Sequence, residues 1–459
     1  MIFTACTVGP DYVRPTAEVP SSYKEIEGWK VAEPKDHLIR GAWWEIFNDP
    51  ELNGLEEQVN ISNQNIIVAE AQFRQARALV QVARAGYFPT VTIGTSFTRL
   101  SPNTPGSAST TTINNYQLPA SASWEPDLWG RVRRTVEASE TSAQASAADL
   151  QGIRLLVQAE VAQDYFQLRT LDAQKELLDA TVIAYQKFLD LTKNRYASGV
   201  ASKLDVLSAE TQLKTTQAQA IDVGVQRAQV EHAIALLCGR PASLFSIPAA
   251  ALSTPPPAIP VGIPSELLER RPDIAGAERR VASANAQIGV AIAAYYPNIT
   301  LSASGGFNAI DLAKWLTWPS RFWSVGAAVA ETVFEGGLRQ AQTAQARAAY
   351  DATVASYRQA VLTGFQEVED NLAALRILEE EAQVQDEAVK AAEQSVASTT
   401  KEYKAGTVSY LNVLVAQTIA LGNQITALNI LGRRMAASVL LVKALGGGWG
   451  QAKEDRVPK

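Results

Sequence analysis

The 459-residue sequence predicts an α+β membrane protein that repeats one plan twice, with long helices and four β-strands per chain. Three observations carry this. Of the 21 prolines, none lies between Pro126 and Pro241 or between Pro319 and Pro458, so these stretches can hold long helices. Two pairs of segments alternate apolar and small polar residues. Several blocks recur at an offset of 207 or 208 residues.

The first helical stretch is bracketed by Gly130 and Gly199 and the second by Gly337 and Gly406, each close to 70 residues. At 1.5 Å per residue that is about 100 Å of helix, more than a globular domain is wide. Val354, Tyr357, Val361, Phe365, Val368, Leu372 and Leu375 step by three and four, as do Leu178, Val182, Tyr185 and Leu189. This is the spacing of a coiled-coil seam, which an ordinary elongated helical bundle shares.

The strand segments are Val91 to Thr98, Tyr116 to Trp124, Ile299 to Ser304 and Trp323 to Ala330. Such alternation suits a barrel strand with lipid on one side and water on the other, although any half-buried strand gives it too. No uninterrupted apolar run is long enough for a transmembrane helix, the longest being Ile288 to Tyr296. Membrane entry is therefore expected through strands. Four strands cannot close a barrel, so closure requires several chains. The connections Leu100 to Asn115 and Asn308 to Arg321, the latter with Trp315 and Trp318, read as exposed loops at the outer mouth.

The repeat is read from Tyr87-Phe88-Pro89 against Tyr295-Tyr296-Pro297, and from Arg195 to Leu207 against Glu402 to Leu414. Glu160-Val161 against Glu367-Val368 shares the offset.

Composition excludes several functions. Two His and two Cys, each far from its like, provide no metal or haem ligand set. A net charge of −6 without a basic block argues against nucleic acid. No convergent acid, base or nucleophile suggests an enzyme, and no cofactor motif is present. A soluble coiled-coil scaffold would have no use for the strands with Trp and Tyr at their ends. At the N-terminus, Met1 to Cys6 ends in Ala5 before Cys6, as a lipoprotein cleavage site does, with Phe3 where Leu is usual. Only five residues precede Cys6, so the native chain is expected to start upstream. An incidental thiol is the alternative. Pro10, Pro15, Pro20 and Pro34 then make an extended arm of about 40 residues.

Several blocks resemble the TolC-like outer-membrane efflux proteins, in the NodT/OprM-type lipoprotein branch. They are Gly9-Pro10-Asp11-Tyr12; Trp43-Trp44 with Phe47-Asn48-Asp49-Pro50; Trp124 to Arg131; Ile263 to Ile274; and Ala444 to Trp449. The resemblance implies a homotrimer in which the strands complete a 12-stranded outer-membrane β-barrel, continued by a long periplasmic α-helical barrel. It implies a passive exit duct for drugs or other small toxic compounds, working with an inner-membrane RND pump and a periplasmic membrane-fusion adaptor. A duct for type I protein secretion or for heavy-metal efflux is the alternative.

The expected organisation follows. Residues 1–50 are a lipidated arm and equatorial part, and 51–86 with 128–240 are the first-repeat periplasmic helices. Residues 87–127 are the first barrel hairpin and 241–264 a Pro-rich equatorial linker. Residues 265–294 with 336–443 are the second-repeat helices, 295–335 the second hairpin and 444–459 the equatorial tail. The family places its lipid on the equivalent of Cys6, and Thr7, not Asp, follows, which fits outer-membrane sorting. It docks its adaptor at the helix turns, here Arg195, Gly199, Leu204, Asp205, Gly406 and Leu411. Taken alone, Gly199 and Gly406 are helix C-caps. The family commonly sets one or two Asp in the second turn as a cation-attracting ring. Asn412 and Val415 stand there, so the expected gate is apolar, made by Leu411 and Val415 beside Asn412, with Asp205 contributing charge nearby.

Overall fold

The computed structural model describes residues 7–25, 41–101, 112–252, 255–257, 259 and 270–447. Its helices are α1 (Pro50–Ser62), α2 (Gln64–Ala85), α3 (Arg131–Ala197), α4 (Lys203–Leu237), α5 (Pro272–Ala293), α6 (Leu338–Ala405) and α7 (Tyr410–Ala444). The strands are β1 (Thr90–Ile93), β2 (Ser96–Leu100), β3 (Ile113–Trp124), β4 (Asn298–Ala309) and β5 (Arg321–Ala330). The proline-free stretches became helices of 67 and 68 residues, α3 and α6.

The chain divides into two compact units. One comprises Met1–Thr16, Gln72–Ala147 and Gly276–Arg358 and holds all five of these strands. Its sheet is antiparallel, with β1 and β2 both on β3, β3 on β4 and β4 on β5. The first strand segment is thus divided, although β1 and β2 keep one register on β3. The reason is Pro119. Gly94 donates its N–H to the Pro119 carbonyl (3.1 Å), but proline has no N–H to return, and the ladder breaks there. On the other side of β3, a Cβ on Gly306 would stand 2.0 Å from the Leu118 carbonyl oxygen, so the close strand approach requires glycine.

Register sorts the side chains into rows of one character. Thr92, Ser121, Ser304 and Ser324 face one way, and the last two hydroxyls lie 2.8 Å apart. Val91, Ala122, Ala303 and Val325 face the other way, flanked by Ile93, Ala120, Gly305 and Trp323. Val91, Ile93, Trp323, Val325 and Val329 are all exposed. This face is apolar yet uncovered by the described residues. The β3–β4 pair is central, and the outer edges of β1/β2 and β5 carry no strand partner among the described residues. Of the two strand connections, 102–111 lies outside the described residues, while the other holds short turns at Leu312–Lys314 and Trp318–Ser320.

In the same unit the N-terminal arm is strapped down more tightly than its proline content suggested. The buried Arg134 guanidinium donates to the carbonyls of Val8 (3.3 Å) and Gly9 (3.4 Å) and to Asp11 (3.1 Å). Asn285 donates to Pro10 (3.0 Å), and Tyr12 donates to Glu278. A Cβ on Gly9 would lie 2.5 Å from the Gly289 Cα. Residues 26–40 of the arm lie outside the described residues.

The other unit comprises Ala17–Ala71, Ala148–Ala275 and Gln359–Lys459. Asp49 caps α1 by accepting from Glu51 and Leu52 and also accepts from the Tyr165 hydroxyl (2.6 Å). Wholly buried Trp43 donates to Gln158 (3.2 Å) beside Trp44, Phe47 and Phe166. Arg271 ties α5 to α6 and α7, reaching Asp273 (2.7 Å), Glu367 (2.7 Å) and the Ala444 carbonyl (3.1 Å). Two of the blocks singled out in the sequence are therefore structural joints.

Along α6 the seam residues Tyr357, Val361, Val368, Leu372 and Leu375 are buried. Among the described residues, α7 is long and apolar enough by length and composition to cross a membrane, with mean hydropathy 1.4 over its most apolar window. This corrects the expectation that no helix would be. Scanning for unbroken apolar runs missed it because Asn429, Arg433 and Arg434 interrupt the sequence without lowering the average enough. Its Leu421 and Ile425 pack with Leu171, Leu178, Ala220 and Val223 of α3 and α4.

Candidate gate and docking tips

Both hairpin turns lie in the second unit. The first, between α3 and α4, turns at Gly199 (φ +76°), and the second, between α6 and α7, turns at Gly406 (φ +81°). These left-handed angles favour glycine because a Cβ would crowd the following carbonyl. Each turn satisfies the orphan carbonyls of its helix end in the same way. Gly199 donates to Tyr196 (2.9 Å) and Val200 to Arg195 (2.9 Å), while Gly406 donates to Tyr403 (3.0 Å) and Thr407 to Glu402 (3.0 Å).

The two turns are joined through Arg195. Its guanidinium donates to the carbonyls of Tyr403 (2.8 Å) and Lys404 (3.2 Å) and lies 4.5 Å from the Tyr403 ring centroid. Between the turns opens a shallow cleft of about 370 Å³, lined by Asn194, Arg195, Ser198, Val200, Lys404 and Gly406. Tyr403, Tyr410 and Phe188 meet with centroids 5.6 to 5.9 Å apart, packed with Tyr185, Leu189, Val206, Leu213 and Val413. Burial, then neighbouring Tyr185 and Tyr403 and the Asp205 charge, push the Tyr410 hydroxyl above its usual range, so it stays neutral.

The helix starts differ. Ser202 caps α4 by accepting from the Asp205 N–H (3.1 Å), and the Asp205 carboxylate accepts from the Ser202 N–H (2.9 Å). This is a closed capping box. Asp205 is therefore engaged in a cap and not pointing free. At the second turn Ser409 makes no side-chain cap, and Asn412 donates only its backbone N–H to the Ser409 carbonyl (3.2 Å).

The remaining candidates are surface residues in the single chain. Leu204 is 71%, Leu411 62% and Val415 49% exposed, and Asn412 is exposed as well. Leu411, Val415 and Ile419 form an i, i+4, i+8 stripe, on a side of α7 other than buried Val413 and Ala416. The structure thus brings Arg195, Gly199, Leu204, Asp205, Gly406 and Leu411 to one pair of turns. Cys6 lies outside the described residues; its neighbour Thr7 sits in the other unit, against Gly130.

Reading the sequence missed Tyr403 and Tyr410 as the floor of the turns, although seam residues Tyr185 and Leu189 led to the same cluster. It missed the capping box too, which Ser202-Lys203-Leu204-Asp205 spells out. It also passed over two carboxyls. Glu56 is wholly buried, neither of its carboxyl oxygens has a partner, and burial raises its pKa well above the ordinary value. Asp164 is pushed up to about 6, by burial and then by the Glu160 charge. Among the described residues no His, Cys, Asp and Glu gather into a metal-binding group.

Comparison with known proteins identifies this architecture. The model of the outer membrane efflux protein family matches residues 55–240 and 263–447. The solvent efflux pump outer membrane protein SrpC of Pseudomonas putida is 30% identical over 98% of this chain and 97% of its own. The pyoverdine export outer membrane protein OpmQ of Pseudomonas aeruginosa is 30% identical over 99% and 98%. Among solved structures, the outer-membrane channel OprN superposes with a TM-score of 0.91 at 30% identity, covering 97% of this chain and all of that one. The open-state MtrE channel of Neisseria gonorrhoeae gives 0.85 at 26% identity, covering 96% and 98%. The family match over both halves, relatives at 30% identity along nearly the whole chain and the agreement with solved channels concur, and the chain belongs to the outer membrane efflux protein family.

Proposed function

We propose that three copies of this chain form the exit duct of a tripartite efflux pump, with an RND pump and a membrane-fusion adaptor as partners. The observation that carries the reading is the sheet: apolar on one face, polar on the other, with both edges open among the described residues. Open edges are not tolerated in lipid, and three four-path sheets make a 12-stranded barrel with the polar rows lining the lumen. The near-equal helix pairs support an internal two-fold repeat: α2 and α5 at 22 residues each, α3 and α6 at 67 and 68, α4 and α7 at 35 each. The segments expected to be periplasmic, 51–86, 128–240, 265–294 and 336–443, are proposed as the walls of the helical tunnel.

At the tunnel's far end, Leu411 and Val415 of three chains would close the lumen beside Asn412, and the cleft at Arg195 and Gly406 would receive the adaptor. Docking that pulls the turns apart would shift the population toward an open state. No chemistry falls to this chain, because pump and adaptor supply the driving force and choose the cargo. The relatives' names, which include solvent and pyoverdine export, place small organic compounds first among the candidates. A lipid on Cys6 is supported by its neighbourhood. Val8 donates to the Trp129 carbonyl (3.2 Å), which sets the arm beside the strand ends where an aromatic belt meets the membrane surface.

The test is expression with the cognate pump and adaptor in a strain lacking its own outer-membrane duct. Restored solvent and drug resistance, a solubilised mass of three chains and an acylated Cys6 by mass spectrometry are expected. A stable single-chain particle, or full resistance without the adaptor, would overturn the reading.

A further inference from the structure

Val333 and Phe334 are 95% and 88% exposed, well beyond any other neighbouring pair of large apolar residues in the described chain. They lie between the end of β5 and the start of α6, at the exit of the second hairpin. We propose that this segment is an inter-chain anchor that packs on Phe88-Pro89 of a second copy. The inference rests on the trimer reading and adds to it the residues that join one copy to the next where the strands meet the helices.

The chain itself contains the template. At the exit of the first hairpin, Trp129 stacks on Tyr296 with centroids 4.9 Å apart and planes at 23°, and its Nε1 donates to the Pro297 carbonyl (2.9 Å). The pair Tyr296-Pro297 introduces β4. Phe88-Pro89 introduces β1 in the matching sequence block, 208 residues earlier. Phe88, however, is 69% exposed, with no hairpin exit of its own chain over it among the described residues. Strand direction supplies the missing neighbour. An antiparallel sheet closed by pairing β5 of one copy with β1/β2 of the next brings the end of β5 beside the start of β1. Val333-Phe334 then faces Phe88-Pro89 across the boundary, as Trp129 faces Tyr296 within the chain.

Charge argues for protein and against lipid tails as the cover. Arg339 holds the exit segment by pairing with Glu331 (2.8 Å) and Glu335 (2.9 Å) and by donating to the Thr332 carbonyl (2.9 Å). Carboxylates thus flank Val333-Phe334 on both sides, and sinking them into hydrocarbon is costly. The first exit is built alike, with Arg131 on Glu125 (2.7 Å) and Arg133 on Asp127 (3.1 Å) around Trp129.

Disulfide cross-linking in membranes tests this, using F88C/F334C in a C238A background, with each single cysteine as control. The expected result is a ladder ending at three covalently joined chains for the double variant only, while W129C/Y296C keeps single-chain mobility. Phe334→Ala is expected to speed dissociation of the SDS-resistant oligomer by about tenfold or more, as its apolar area leaves the interface. A solubilised mass of three chains without the F88C/F334C ladder overturns this inference alone. A single-chain mass overturns the trimer reading with it. Strong quenching of an F334W variant by brominated phospholipid would assign the segment to lipid and also overturn the inference.

Discussion

The two hairpin turns are alike at their helix ends and unlike at their helix starts. Both stop a helix of nearly 70 residues on a left-handed glycine with the same pair of backbone bonds. Only the first restarts with a closed capping box; the second presents Ser409 and Asn412 with no side-chain cap. The uncapped start is also the one whose exposed face carries Leu411 and Val415. A helix start held by fewer bonds opens locally at lower free energy, as elements that must move do. The proposed gate thus sits on the looser of two similar turns, and Arg195 is what ties it to the firmer one.

The largest effect is expected from cutting that tie. Arg195→Ala removes two hydrogen bonds from a charged donor and a cation over the Tyr403 ring, together about 2–4 kcal/mol of local stability. Amide exchange at Tyr403 to Val408 should accelerate at least tenfold, and channels in planar bilayers should open more often. Arg195→Lys, which lacks the planar fork, should fall between. Unchanged exchange would mean that the second turn holds itself and that the two turns are equivalent after all.

A paired substitution tests the caps directly. Ser202→Ala should cost about 1 kcal/mol, seen as roughly fivefold faster exchange in the first turn of α4. Ser409→Ala, with no side-chain bond to lose, should change the first turn of α7 hardly at all. Equal effects would erase the distinction between the turns.

How much of this was legible beforehand depended on the range of the interaction. Helix lengths were legible because a proline gap and a bracketing glycine are local facts, and the α6 seam because its period follows from helix geometry. The sheet's alternation was legible for the same reason. Its break at Gly94 was not, since that depends on Pro119 lying opposite, and register is a pairing between distant residues. The docking of Gly9 on Gly289 and of Arg195 on Tyr403 likewise joins residues more than 200 positions apart. Sequence patterns mark where a residue can turn or be buried. They do not say which partner it meets, so Tyr403 registered only as one letter of a repeat.

A smaller, stabilising change would make the second turn copy the first. Asn412→Asp puts a carboxylate at the third helical position of α7, where Asp205 stands in α4, and should close a box with Ser409 worth about 0.5–1 kcal/mol. It would also place one carboxylate per chain beside Leu411. Single-channel current should then become sensitive to micromolar multivalent cations, while the unmodified channel stays insensitive. Block of the unmodified channel centred on this turn would refute an apolar closure.

The smallest effect separates the shafts of the two hairpins. Asp164 of α3 titrates near 6, because burial and then the Glu160 charge disfavour its carboxylate. At the offset of 207 the second hairpin carries Asn371, whose amide donates to the Glu367 carbonyl (2.6 Å) and does not titrate. A carboxyl raised in the folded state stabilises the fold only when protonated. Its penalty is therefore full above pH 6, is relieved as the pH falls from about 6 toward the ordinary value of 3.8, and vanishes below it. Asp164→Asn is neutral throughout and should unfold at higher temperature than the unmodified protein at pH 8, with the difference closing by pH 4. Partial solvent access screens the site, so the gain should be under about 1 kcal/mol. A variant equally stable at both pH values would show that Asp164 ionises as freely as an exposed carboxyl, leaving the two shafts electrostatically alike and the turns as the place where the hairpins differ.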